Sequence, residues 1–183
     1  MIKQLQNIFI LLILIILSGC STFYNIADTR HNNYTQPIHI DRTFDISGRF
    51  FIKSKNNNQY GNFAWYKDES QENLAFNTPL GQTIAKITIN KDEATLFTQR
   101  ESYTGSNLDI LMMKNLGFSI PVPYLHYWVQ GVALPNITIN ATTQYGFSQV
   151  GWQVEYLEWY DNNHPKVIKI SKNNTIIKLL IQW

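Results

Sequence analysis

The chain has 183 residues, 14% of them aromatic, and a formal net charge of +2 at pH 7. This length is enough for one domain with a hydrophobic core. The near-neutral charge predicts neither the basic face of a nucleic-acid-binding protein nor a polybasic membrane patch. The single cysteine cannot form an intrachain disulfide.

The amino terminus has the parts of a secretory signal peptide. Lys3 precedes an unbroken apolar run, Ile8 to Leu17, which is too short to span a bilayer. Leu17-Ser18-Gly19-Cys20 then resembles the lipobox of bacterial lipoproteins, in which the cysteine is lipidated and the signal is cut before it. We therefore expect residues 1–19 to be a lipoprotein signal peptide and Cys20 to be the lipid attachment site. An uncleaved anchor with an incidental cysteine is the alternative.

The segment after Cys20 is predicted to be a lipidated tether, residues 20–43. It is polar, contains Asn32-Asn33 and Pro37, and has no sustained hydrophobic period. A short ordered piece near its end is compatible with this pattern. The folded domain is predicted at 44–183.

The first half of the domain alternates apolar and polar residues, which is the period of a β-strand. The predicted strands are Phe44–Lys53, Gln59–Lys67, a strand around Leu74 and Phe76, Thr83–Asn90 and Ala94–Gln99. Turn residues separate them at Asn56–Asn58, Asp68–Ser70 and Lys91-Asp92. Short strands with short connections predict an antiparallel meander.

Two short helices are predicted next. Ser106 and Asp109 resemble a capping box, apolar residues follow at helical spacing from Leu108 to Leu116, and Gly117 suits the helix end. The second helix starts near Pro123. Five further strands are predicted at Ile137–Thr142, Phe147–Val150, Trp152–Tyr160, Val167–Ser171 and Thr175–Trp183, with Gly151 as a bulge or bend and Asn173-Asn174 as a hairpin turn.

No catalytic or metal-binding constellation is predicted. The four histidines have no metal-ligand spacing, and no phosphate-binding loop or nucleophile elbow is present. Glu155 and Glu158 are three residues apart, so in a strand they face opposite sides. The sequence therefore predicts no enzyme, no metal and no cofactor.

The sheet needs a cover for its apolar face, and the two short helices are the only cover that the sequence offers. Such a small cover leaves either a cavity for an apolar ligand or a core filled by the protein's own side chains. A filled core is the commoner outcome in proteins.

Several motifs in order resemble the LolB family of outer-membrane lipoprotein acceptors. They are the lipobox at Leu17–Cys20, Ser47-Gly48-Arg49-Phe50-Phe51, Gly61-Asn62-Phe63-Ala64-Trp65, Pro79-Leu80-Gly81-Gln82-Thr83, Leu116-Gly117-Phe118-Ser119-Ile120-Pro121-Val122 and Tyr127-Trp128-Val129-Gln130-Gly131. The resemblance implies a mainly β fold with a small α part, a half-open, incomplete antiparallel β-barrel of about eleven strands with short helices as its lid.

The resemblance also implies a function. A LolA-type periplasmic chaperone would hand over a lipoprotein, whose acyl chains would enter the cavity and then the outer-membrane lipid. The protein would be a lipid-anchored monomer of the cell outer membrane, facing the periplasm. A generic lipid-binding protein and a purely structural envelope lipoprotein with a filled barrel are the competing interpretations.

Two groups of site residues are predicted, the first from the resemblance and the second from the alternating faces of the strands under so small a helical cover. Leu80, with Pro79 and Gly81, would form a membrane-insertion loop, although from the residues alone Leu80 could equally fold back over the sheet edge. The expected walls of an acyl-chain cavity are Phe50, Ile52, Phe63, Trp65, Phe76, Ile87, Met112, Leu116 and Trp128.

Overall fold

A computed structural model describes residues 33–37, 39–55, 58–90 and 93–183. The strands are β1 Phe44–Lys53, β2 Asn58–Lys67, β3 Glu72–Asn77, β4 Thr83–Asn90, β5 Glu93–Thr98, β6 Ser102–Gly105, β7 Ala141–Thr143, β8 Gly146–Gln149, β9 Trp152–Trp159, β10 Pro165–Lys172 and β11 Thr175–Gln182. The helices are α1 Leu108–Leu116 and α2 Val122–Trp128. The predicted signal peptide, Cys20, and the turn residues Asn56-Asn57 and Lys91-Asp92 lie outside the described residues.

The strands form one unclosed antiparallel sheet in the order β6-β5-β4-β3-β2-β1-β11-β10-β9-β8-β7. β1 pairs with β11, so the first and last strands of the domain lie side by side within the sheet. The two edge strands are β6 and β7, and both helices lie between them in the sequence. The predicted fold class, a mainly β incomplete barrel with two short helices, is confirmed.

Alternation along the strands sets the face that is buried. In β1, Phe44, Ile46, Phe50 and Ile52 are buried on one face, and β2 places Trp65 opposite Ile46 on that same face. The rings of Phe44 and Trp65 meet edge to face with centroids 5.3 Å apart. A register slip of one residue would turn every one of these side chains to the opposite face. The apolar faces that alternate along β1 and β2 are therefore the buried faces.

The first helix begins one residue later than predicted. Asn107, not Ser106, is its N-cap, and the Asn107 side chain accepts a 3.0 Å hydrogen bond from the backbone N–H of Ile110. Asp109 does not close a capping box and instead accepts a 2.8 Å bond from the Ser119 hydroxyl. Gly117 ends the helix at φ 75°, as predicted. Helix α1 packs on β5 and β6.

Most strand boundaries differ from the prediction by one or two residues at an end, and three local features were not determined by the sequence pattern. Strand β6 was not predicted, because Ser102–Gly105 is too short and polar to show a period. The strand expected at Ile137–Thr142 is reduced to Ala141–Thr143. Of the two alternatives predicted for Gly151, a bulge or a bend, the structure has a bend: Val150 at φ 52° and Gly151 at φ 75° form the two-residue turn between β8 and β9. Within the described residues, no helix has the length and apolar character needed to cross a membrane.

The antiparallel register divides the connections between two rims of the sheet. We call one the Leu80 rim. It carries the turns after β1, β3, β5, β8 and β10, at described residues 54–55, 78–82, 99–101, 150–151 and 173–174. The opposite rim carries the turns after β2, β4, β7 and β9.

Candidate functional site

Leu80 lies at the tip of the turn between β3 and β4, and 91% of its surface is exposed. The backbone N–H of Gly81 donates to the Thr78 carbonyl at 2.9 Å, which closes a four-residue turn from Thr78 to Gly81. The backbone N–H of Thr78 donates to the Gln82 carbonyl at 2.8 Å, and the Thr78 hydroxyl oxygen accepts a bond from the Gln82 N–H at 3.1 Å. Leu80 therefore does not fold back over the sheet edge.

The sequence of this turn explains its shape. Proline fixes φ near −65°, which suits the second position of the turn and is where Pro79 lies. Gly81 adopts φ 83°, a conformation that residues with a side chain rarely adopt, and a Cβ built there meets nothing within 4 Å. Pro79 and Gly81 are exposed together with Leu80. The loop thus presents one large apolar side chain to solvent on a rigid hydrogen-bonded base.

The predicted cavity residues come together in one hydrophobic cluster. Leu116 is partly buried, and the other eight are at most 4% exposed. These eight are Phe50, Ile52, Phe63, Trp65, Phe76, Ile87, Met112 and Trp128. Sheet residues and residues of both helices contribute to this cluster. In the conformation described, an acyl chain would reach these side chains only if the cover opened. That they line an acyl-chain cavity stays a prediction.

Buried polar atoms occur within and beside this cluster. The indole Nε1 of Trp128 and the Nδ1 of His126 are buried and have no hydrogen-bond partner in the described part of the chain. Such atoms are rare because an unpaired buried donor is unfavourable. Burial lowers the pKa of His126 to about 4, with Lys67 adding to the effect, so the imidazole is neutral at pH 7. An indole N–H can donate a hydrogen bond to a lipid ester or amide carbonyl.

A charged group also lies at the edge of the apolar cluster. The carboxylate of Glu72 accepts a 2.9 Å hydrogen bond from the Trp65 indole and lies 3.7 Å from the Lys67 amine. Burial raises the pKa of Glu72, while Lys67 and the indole act in the opposite direction. This arrangement fixes the ring of Trp65, one of the predicted wall residues.

The structure adds a contact that the sequence did not predict. Tyr34, in the predicted tether, donates from its backbone N–H to the Gln144 carbonyl at 2.7 Å and from its hydroxyl to the Gly131 carbonyl at 3.0 Å. The side chain of Gln130 accepts from the Asp41 N–H at 2.7 Å and donates to the Asp41 carbonyl at 3.2 Å. The end of the tether therefore packs beside the carboxyl end of α2. Its only sequence signal was an isolated aromatic residue, Tyr34.

Comparison with known proteins identifies what this arrangement resembles. The family model described as outer membrane lipoprotein LolB matches residues 42–183. The LolB of Chromobacterium violaceum is 23% identical over 98% of this chain and 98% of its own length. The LolB of a Marinomonas species is 30% identical over 76% of this chain and 79% of its own length. A crystal structure of a LolA superfamily protein from Nitrosomonas europaea is 9% identical, with TM-score 0.45 over 85% and 87% of the two chains.

Proposed function

Since the chain belongs to the outer-membrane lipoprotein LolB family, we propose that it accepts lipoproteins from a LolA-type periplasmic chaperone and inserts them into the outer membrane. The observation that carries this proposal is Leu80, 91% exposed at a turn tip next to a large buried apolar cluster. A leucine side chain gains free energy when it leaves water for an apolar phase, and at 91% exposure nearly all of that gain is still available. A protein that delivers acyl chains to a lipid surface can use that gain.

We place the acyl chains of the cargo among the buried residues that include Phe50, Trp65 and Trp128. Transfer of a chain from water to an apolar site is worth about 0.8 kcal/mol per CH₂. Most of this gain is the same in the chaperone, in this domain and in the membrane. Modest differences in fit between the three can therefore set the direction, without a nucleotide.

We further propose that Cys20 carries the lipid that anchors the mature protein. Residues 1–19 are then the signal peptide, 20–43 the tether and 44–183 the lipoprotein-binding domain. One acyl chain gives only marginal membrane binding, and stable anchoring needs a second signal, which the lipobox modification supplies. The transfer forms and breaks no covalent bond, so the proposed role is that of a non-enzymatic carrier that uses no cofactor. We propose that the carrier is a monomer.

The experiment that tests this proposal is transfer from a loaded chaperone. A LolA-type chaperone carrying a radiolabelled lipoprotein is mixed with the mature chain from residue 20 carrying Cys20→Ser, and the label is followed from one protein to the other. We expect the label to move to this chain and then to liposomes added afterwards. Uptake of free fatty acid without uptake of the lipoprotein would instead identify a general lipid carrier. If the protein takes up neither the lipoprotein nor the fatty acid, it is a structural lipoprotein with a filled core.

A further inference from the structure

We propose that the Leu80 rim is an electrostatic docking surface for anionic phospholipid head groups, which orients the protein with Leu80 toward the membrane. This inference rests on the proposed function, because it explains how the delivery step is aimed. The residues of the Leu80 rim lie far apart in the sequence, so no sequence motif contains them together.

Basic residues outnumber acidic residues at this rim. Lys53 ends β1, Lys55 lies in the turn after it, Arg100 lies in the turn after β5, and Lys172 ends β10. All four are exposed, and the one acidic residue in these segments is Glu101, which accepts a 2.8 Å bond from the Tyr103 hydroxyl. The folded chain therefore forms the basic patch that its composition did not predict.

Leu80 lies between two of these basic turns. The order β5-β4-β3-β2-β1 places the β3–β4 turn between the turn that carries Arg100 and the turn that carries Lys55. The Gln99 side chain donates to the Thr83 carbonyl at 3.0 Å, which holds the Arg100 turn against the base of the Leu80 loop. The basic side chains and the exposed Leu80 side chain thus belong to one surface.

The opposite rim has the reverse charge. It carries more acids than bases, among them Asp45, Asp68, Glu69, Glu93 and Asp161. The ion pairs between described residues that involve its bases join Lys67 to Glu72 and Lys166 to Glu158. An anionic surface would therefore attract the Leu80 rim and repel the other one.

Exposed aromatic side chains occur at both rims, and at the Leu80 rim they lie among basic residues with few acids nearby. Tyr60, on β2, is 62% exposed, and Phe97, on β5, is 42% exposed. Both lie within three residues of the Leu80 rim, one on each side of the Leu80 turn. Lys172 lies above the Trp152 ring at the same rim, 5.6 Å from its centroid. Aromatic side chains interleaved with lysine and arginine are typical of surfaces that lie at the head-group level of a bilayer.

A docking surface is needed because the lipid anchor does not orient the domain. Tyr34 is fixed to the domain and lies 14 positions after Cys20. At roughly 3.3–3.6 Å per residue, that segment reaches about 50 Å when fully extended. Either rim could therefore face the membrane on such a tether. The charge difference between the rims selects one of them.

The test is co-sedimentation of the mature chain from residue 20 with Cys20→Ser, so that no anchor contributes. The vesicles are phosphatidylcholine alone or phosphatidylcholine with phosphatidylglycerol. We expect binding to the anionic vesicles that weakens with added salt. The double variant Lys55→Gln/Arg100→Gln should bind about 30-fold more weakly, at roughly fivefold per charge. The control Arg42→Gln/Lys166→Gln changes the net charge equally at the opposite rim, where Arg42 precedes β1 and Lys166 lies at the start of β10, and it should bind like the parent.

Equal binding to both vesicle types, or equal loss in both double variants, would overturn the inference. Acceptance of a lipoprotein from the chaperone is measured on the same proteins without vesicles. If the parent accepts no lipoprotein, the proposed function fails, whereas the vesicle result still decides the docking surface. If acceptance is normal and the Lys55→Gln/Arg100→Gln variant binds vesicles like the parent, only the docking surface fails.

Discussion

The ring of Tyr34 stacks on the ring of Tyr156, with centroids 5.1 Å apart and planes 11° from parallel. Tyr156 is buried in β9, and its hydroxyl donates to the Trp128 carbonyl at 3.0 Å. This pair therefore connects the end of the tether, a core strand and the carboxyl end of α2. Burial raises the pKa of both tyrosines, so both stay neutral hydrogen-bond donors at physiological pH.

Substitution of Tyr34 should measure how strongly this end of the tether stabilises the domain. Tyr34→Phe loses the hydrogen bond to Gly131 and should lower the free energy of unfolding by about 0.5–1.5 kcal/mol. Tyr34→Ala also loses the stacked ring and should lower it by about 2–3 kcal/mol. Urea denaturation measures both. The control is Tyr60→Ala, at an exposed ring, which should change stability by less than about 0.5 kcal/mol. Equal effects of Tyr34→Ala and Tyr60→Ala would contradict the packing described.

The close approach of two strands at Gly61 gives a second prediction. A Cβ at Gly61 would lie 1.9 Å from the backbone oxygen of Asn77, a contact that the sheet cannot relieve without moving a strand. Gly61→Ala should therefore cost about 3 kcal/mol or prevent folding. Gly105→Ala is the control, because its nearest new contact is the flexible Leu111 side chain at 3.7 Å. Circular dichroism during thermal unfolding compares the two, and a Gly61→Ala protein as stable as Gly105→Ala would refute the strand geometry.

Much of the sheet was predictable because its signal is local. Alternation in Thr83–Asn90 predicts both the strand and its buried face, and the structure has the same bounds. The cap at Asn107 was missed because Ser106 and Asn107 are both good capping residues, and only the three-dimensional structure shows which one accepts the Ile110 N–H.

The features that could not be predicted depend on contacts between distant residues. Tyr34 bonds to Gly131 across 97 positions, and nothing around Tyr34 shows a period. The Leu80 rim likewise carries Lys55, Arg100 and Lys172, which only the strand order places along one edge of the sheet. A charge count of the whole chain averages over both rims and conceals the difference between them.

Acidification should destabilise the domain through His126. The pKa of His126 is about 4 in the folded protein, because of burial, against its ordinary value of 6.5. Between these values the unfolded chain binds a proton that the folded chain does not, so stability falls as the pH drops from 6.5 toward 4. The loss should be about 1–2 kcal/mol once the partial solvent exposure of the ring is considered.

His126→Gln separates this effect from the other titrating groups. Glu72 titrates in both proteins, and its raised pKa favours the folded state at low pH, the opposite sign. The measurement is the difference in free energy of unfolding between pH 7 and about pH 4.5, in urea. The difference should be smaller by about 1–2 kcal/mol in His126→Gln. An identical difference in both proteins would show that His126 is accessible to protons in the folded state.

Replacement of Cys20 tests the proposed anchor. Cys20→Ser removes the sulfur that accepts the diacylglyceryl group, so an uncleaved or soluble product is expected in place of a lipidated one. Incorporation of labelled palmitate in growing cells measures this directly. Ser18→Ala keeps the thiol and a small residue before it, and should label normally. Labelling of the Cys20→Ser protein would mean that the lipid is attached elsewhere.

Leu80→Glu tests the insertion loop. Full burial of a leucine is worth roughly 1.5–3 kcal/mol, too little to anchor a protein but enough to lower a transfer barrier. Loss of that gain should slow delivery of a lipoprotein into liposomes by about 10–100-fold, at a factor of ten per 1.36 kcal/mol. The side chain is 91% exposed, so stability and acceptance from the chaperone should remain near those of the parent. Ile110→Glu, at a 62% exposed site on α1, is the matched control for adding a charge to an exposed apolar position. If Leu80→Glu unfolds the domain, Leu80 has a structural role, and if both variants deliver at the same rate, insertion of Leu80 is not part of delivery.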